Sequence, residues 1–196
     1  LDFSGPVTER VSDFDLSIPA LLEDGTETPL LYITRALNRA KDDPKVKGVI
    51  AKFDETKPSL VHVNAIAKAL TEFRKSGKFT YAYATSYGGF AGAGNAYLLA
   101  SFFDNIWLQP VGTVGLSLTK PESPFGKSAL ARFGVKGDFT KRAEHKSVME
   151  NITRDNFSPA VKANMESLLS EIVKHKTSLL AKGRSINEAA AKKLIQ

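Results

Sequence analysis

With 196 residues, 42% of them hydrophobic and 24% charged, the chain has length for a buried core and the composition of a globular protein. No apolar run approaches the ~20 residues that span a bilayer as a helix, and the absence of cysteine excludes disulfides, thiolate metal sites and cysteine nucleophiles. The formal charge of +6 comes from basic residues scattered from Arg10 and Arg35 to Lys192 and Lys193, with no dense tract and no aromatic-rich motif, so nucleic acid is not an expected partner.

In chain order, Leu1-Asp2-Phe3 reads as a strand, and an opening inside a strand predicts a further segment upstream, a signal or an anchor. A first helix is predicted over about Leu30 to Lys41, with Leu30, Ile33 and Leu37 on one face, followed by a strand over Gly48 to Phe53. A second helix runs from about Val61 to Lys75 with Ala65, Ala69, Leu70 and Phe73 inward. It ends at Gly77, a residue suited to the left-handed C-cap, and a strand over Phe79 to Ala84 follows. The small-residue stretch Gly88 to Ala96 leads into the helical run Tyr97 to Ala100 and the strand Asn105 to Leu108. Beyond Pro110 a strand is predicted over Thr113 to Leu118 and a short helix over Gly126 to Phe133.

Ser147 followed by Glu150 reads as a capping box, which places Lys146 at the positive end of a helix, where a partly desolvated lysine loses proton affinity. Ser158-Pro159 opens a long amphipathic helix, serine as cap and proline at the first helical position, with Val161, Met165, Leu168, Leu169 and Ile172 as its buried stripe and an end near Gly183. A last helix is predicted from Ser185, and its abrupt stop at Gln196 suggests a piece of a larger protein. The whole pattern is that of a layered α/β domain, residues 1–196 forming a single domain with a carboxy-terminal helical extension.

Several chemistries fail on their spacing. Gly92-Ala93-Gly94-Asn95-Ala96-Tyr97 half-matches a dinucleotide fingerprint, but the third glycine is missing and Leu108-Gln109 stands where an acidic ribose ligand belongs, so no cofactor is expected. The alternative is close packing of a helix on the sheet. Gly115-Leu116-Ser117-Leu118-Thr119 lacks the second glycine of a nucleophile elbow. His62, His145 and His175 are scattered without metal-site spacing. Glu144 and His145 flank Lys146 and could tune it, although solvated surface positions account for both.

Beside these readings, Lys146-Ser147-Val148 through Arg154-Asp155-Asn156-Phe157-Ser158-Pro159 resembles the lysine segment of the signal peptide peptidase A (protease IV) family. Tyr97 to Ser101 with Asn105 to Leu108, Ala40-Lys41-Asp42 before Lys47 to Ile50, and the Gly112 to Gly115 turn resemble the same family, along nearly the whole chain. The resemblance implies a crotonase- or Clp-protease-like fold of repeated β-α units, and a Ser/Lys endopeptidase that degrades cleaved signal peptides or unfolded segments at the periplasmic face of the bacterial inner membrane.

It is closest to the amino-terminal half of the long two-domain form, in which this half supplies the lysine general base and the other half the serine. Lys146 is the matching position. Where a nucleophile-bearing domain reads Ala-Ser-Gly-Gly-Tyr, this chain has Ala93-Gly94-Asn95-Ala96-Tyr97. Where the family's oxyanion loop reads Ser-Pro-Gly-Gly, it has Lys57-Pro58-Ser59-Leu60. Ser86 is the nearby hydroxyl that could substitute, although a turn or cap role accounts for it. The implied partners are a peptide substrate, a serine-bearing domain or neighbouring subunit, and further copies in a homo-oligomer. A non-catalytic scaffold of the same fold is the alternative reading, and a crotonase-type acyl-CoA enzyme is disfavoured by the missing oxyanion glycines.

Overall fold

The computed structural model describes residues 1–3, 5–9, 28–53, 58–88, 94–116, 122–140, 142 and 146–195. The described elements, in order, are β1 (Asp2–Phe3), β2 (Val7–Thr8), β3 (Thr28–Pro29), α1 (Leu30–Asp42), β4 (Gly48–Phe53), α2 (Leu60–Arg74), β5 (Phe79–Ala84), α3 (Asn95–Ala100) and β6 (Asn105–Leu108). They continue with α4 (Lys127–Arg132), α5 (Glu150–Thr153), α6 (Pro159–Arg184) and α7 (Glu188–Ile195). The fold is mixed α/β, and it divides into two compact units, one of Leu1–Leu118 with Lys176–Gln196 and one of Thr119–His175.

The first unit is built on a four-stranded, all-parallel sheet in the order β1-β4-β5-β6, with a second parallel pair formed by β2 and β3. Alternation along the strands sorts the two faces. Ala51, Phe53, Thr80, Ala82 and Ala84 point into the core, where they meet Ile33 and Leu37 of α1 and Val63, Ile66, Leu70 and Phe73 of α2. Phe53 stacks on Phe3 and lies edge-on to Phe103. The other face carries Ile50, Lys52, Phe79, Tyr81, Tyr83 and Trp107 and is open, Trp107 being 61% exposed. A parallel sheet normally has both faces covered; among the described residues, this one is packed on one face.

Local chemistry explains most boundaries. Ser59 caps α2 by accepting the His62 N–H at 3.2 Å. Gly77, at φ 76°, turns the chain after α2 without the Cβ strain another residue would meet. α6 closes on Ser185 at φ 52°, and α7 begins under a cap from Asn187, whose side chain accepts the Ala190 N–H at 2.8 Å. The last helix therefore starts three residues beyond the predicted Ser185.

Two expectations are corrected. No strand forms over 113–116; Val114 makes an isolated parallel bridge to Tyr87, and 117–118 lie outside the described residues. The expected stripe of α6 is not a buried one: Val161 is buried, but Met165, Leu169 and Ile172 are half-buried and Leu168 is exposed. The buried part of α6 is its last third, where Leu179, Leu180 and Ala181 join the core of the first unit.

Candidate active site

Lys146 immediately precedes the Ser147–Glu150 turn that leads into α5 in the second unit; it is exposed, and it lines a cavity of about 540 Å³ together with Phe139, Val148, Met149, Glu150 and Arg154. The apolar members are open to solvent, Val148 at 73% and Phe139 at 45%. An ammonium beside uncovered apolar side chains is a surface suited to being covered.

The turn is not held as the capping-box spacing predicts. α5 is a four-residue helix with Met149 at its N-cap and no side-chain cap bond. Ser147 contributes its carbonyl, accepting the Glu150 N–H at 2.9 Å. The Glu150 carboxylate turns away and accepts the Ser158 N–H at 2.9 Å, at the start of α6. Ser158 in turn accepts the Val161 N–H on its hydroxyl at 3.5 Å. The box is thus split between two segments, because the third residue of α6 is Val161, which has no acid to offer its own cap. That valine was the signal in the sequence that the acid must come from elsewhere.

Around this turn, Asp155 caps α4 by accepting the Ser128 hydroxyl at 2.6 Å and its N–H at 3.1 Å, and these bonds hold its carboxyl below the ordinary value. Phe125 packs edge-on against Phe157. Glu144 and His145 lie outside the described residues.

The other segments singled out in the sequence meet in the first unit. Gly94, which the resemblance sets against a nucleophilic serine, adopts φ 70° at the start of α3, and a Cβ there would lie 2.6 Å from the Gly115 carbonyl oxygen. The neighbouring Asn95 donates its side-chain N–H to the Pro58 carbonyl at 2.9 Å, which ties α3 to the Pro58-Ser59 turn. Gly92, Ala93 and Lys57 lie outside the described residues. Ser86 bonds to Thr113, donating to its carbonyl at 3.1 Å with the two hydroxyls 3.0 Å apart, which is a turn role.

The buried lysine among the described residues is Lys176, 5% exposed on α6, and burial lowers its pKa. Periodicity does not single it out, because it falls among charged neighbours on the helix. Burial pushes the Tyr87 phenol up, with Tyr97 adding to it, and the hydroxyl donates to the Trp107 carbonyl at 3.1 Å, a packing role. No group of His, Asp and Glu side chains arranged for a metal occurs among the described residues.

Residues 72–196, a span that includes Lys146, match Peptidase family S49. The chain belongs to peptidase family S49. This S49 chain is similar to Protease 4 of Haemophilus influenzae, 29% identical over 154 residues, which cover 78% of the chain and 24% of that protein. It is also similar to Protease 4 of Salmonella typhi, 30% identical over 162 residues, which cover 82% of the chain and 25% of that protein. The chain therefore spans about a quarter of the length of the curated relatives it matches.

Proposed function

We propose that this S49 chain supplies the lysine half of a Ser/Lys endopeptidase site. Lys146 takes the proton from a serine hydroxyl brought by another domain or subunit, and returns it to the leaving amine. The observation that carries this reading is Lys146 itself, exposed in the wall of an apolar-lipped cavity within a member of a peptidase family. An amine near ~10.4 must fall about three units, roughly 4 kcal/mol, to act as a base near neutral pH. A serine-bearing domain seated over Phe139, Val148 and Met149 would supply the desolvation that does so.

The same reading gives the fold as crotonase- or Clp-like, supported by the repeated β-α units. It makes the chain the amino-terminal, lysine-bearing half of a longer protein. It places the parent protein at the periplasmic face of a bacterial inner membrane, with cleaved signal peptides and unfolded segments as substrates. Both relatives are bacterial proteins named Protease 4, and no described helix of the chain is long and apolar enough to cross a membrane.

A second reading, a non-catalytic scaffold that assembles copies and shapes a substrate groove, is favoured by the open aromatic face of the sheet and by Gly94 at the nucleophile position. Peptide cleavage by the full-length parent protein decides between them. Lys146→Ala is expected to lower kcat/KM by about a thousandfold or more with assembly unchanged. Near-normal cleavage by that variant would leave the chain a scaffold.

A further inference from the structure

Glu150 is the buried acidic side chain among the described residues, 3% exposed, and it lines the same cavity as Lys146. Its surroundings link two things that the sequence keeps apart. On one side its backbone closes the lysine turn, the N–H donating to the Ser147 carbonyl and its own carbonyl accepting the Arg154 N–H, both at 2.9 Å. On the other side its carboxylate takes the Ser158 N–H at 2.9 Å, across eight residues of chain. Ser158 is the cap of α6, and its carbonyl accepts the Lys162 N–H at 2.9 Å to begin the helix.

α6 is 26 residues long. The N-terminus of such a helix carries about half a positive charge and favours a carboxylate. Holding an exposed lysine in one place costs rotamer and backbone freedom, and anchoring its turn to a rigid helix end removes part of that cost.

We propose that Glu150 is the positioning residue for Lys146: it pins the turn that follows the lysine to the end of α6. This rests on the reading of Lys146 as the general base. The charged groups that line the cavity are Asp138, Lys146, Glu150 and Arg154, so Glu150 and Asp138 are its acidic members.

The test compares Lys146→Ala, Glu150→Ala, Glu150→Gln and Glu150→Asp in the full-length parent protein, measuring kcat and KM per folded enzyme. Glu150→Ala frees the turn and is expected to lower kcat about a hundredfold, with a smaller change in KM. Glu150→Gln keeps an acceptor for Ser158 and is expected to recover most of kcat. A merely structural role would lower the melting temperature and leave kcat per folded enzyme at the wild-type value. Wild-type kcat per folded enzyme in Glu150→Ala would overturn the proposal. If Glu150→Ala does not fold, Glu150→Asp, whose shorter side chain falls short of the Ser158 N–H, takes its place, and wild-type kcat in that variant overturns the proposal. An active Lys146→Ala variant overturns the base assignment, and positioning with it; an inactive one beside wild-type-like Glu150 variants overturns positioning only.

Discussion

Asp104 shows how much one partly exposed side chain organises in the first unit. Its Oδ1 accepts from Arg74 Nε at 2.8 Å and pairs with Nη2 at 2.6 Å, and its Oδ2 accepts from the Thr80 hydroxyl at 2.7 Å and the Thr80 N–H at 3.1 Å. Its own N–H donates to the Thr80 hydroxyl at 2.9 Å, so the end of α2, the start of β5 and the turn before β6 are joined at one residue. Burial pushes its carboxyl up, but the bonds from Thr80 and the Arg74 guanidinium outweigh this and hold it below its ordinary value. A depressed carboxyl contributes stability that is complete above the unfolded value of about 3.9 and is lost as pH falls through the folded one. Asp104→Asn keeps an acceptor and removes the charge. It is expected to lower stability by about 1 kcal/mol at pH 7, a figure at the low end because the carboxylate is partly solvated. The difference should shrink at acidic pH, below the unfolded value of about 3.9, as the native carboxyl protonates as well. Urea unfolding of both proteins at the two pH values checks it, and a pH-independent difference would show that shape rather than charge is what the site needs.

At the scale of elements, the sequence was most legible where one periodicity met a clear stop. β4, β5 and β6 fall on the predicted residues, and α1 and α2 come within one residue of theirs at each end, because alternating strands and helices with Ser59 and Gly77 at the boundaries leave little latitude. The inward face of α2 was read less well: Ala65 is half-buried while Val63 and Ile66 are fully buried, since small residues on both sides of the helix blur the stripe. The turn after Lys146 was not legible as a structure, because a capping box is a local pattern and Glu150 was recruited by a non-local donor. The close approach of α6 to Ser101 was equally invisible, since the contact joins segments far apart in the chain. A Cβ on Gly183 would strike the Ser101 hydroxyl and lie 2.9 Å from Ser101 Cβ and 3.0 Å from its carbonyl carbon. Ser101 is fully buried and its hydroxyl donates to the Leu98 carbonyl at 2.7 Å, so it has little room to yield. On an open helix Gly→Ala gains about 1 kcal/mol, whereas overpacking costs about 1–3 kcal/mol. Gly183→Ala is therefore expected to destabilise by about 1 kcal/mol net, and a rise in melting temperature would contradict the contact.

For the molecule as a whole, the proposed reading sets Gly94 where a nucleophile would stand and the Pro58-Ser59 turn where the oxyanion loop would run; among the described residues Gly94 adopts φ 70° at the start of α3, and the turn caps α2 and receives Asn95. In the second unit Lys146 is exposed, its apolar neighbours Val148 and Phe139 are open to solvent, and nothing described covers them. Until a nucleophilic serine is brought to it, the proposed base has no proton to take. The proposed site is therefore complete only in an assembly, and the purified 196-residue chain is expected to hydrolyse an unfolded polypeptide no faster than buffer, while the parent protein cleaves it. The measurement is release of soluble fragments from an unfolded substrate at equal molar concentrations, with the Lys146→Ala chain as the control for contaminating protease. Hydrolysis by the chain alone that disappears in the Lys146→Ala control would mean that the nucleophile lies within these residues after all, with Ser86 at the end of β5 the first hydroxyl to replace.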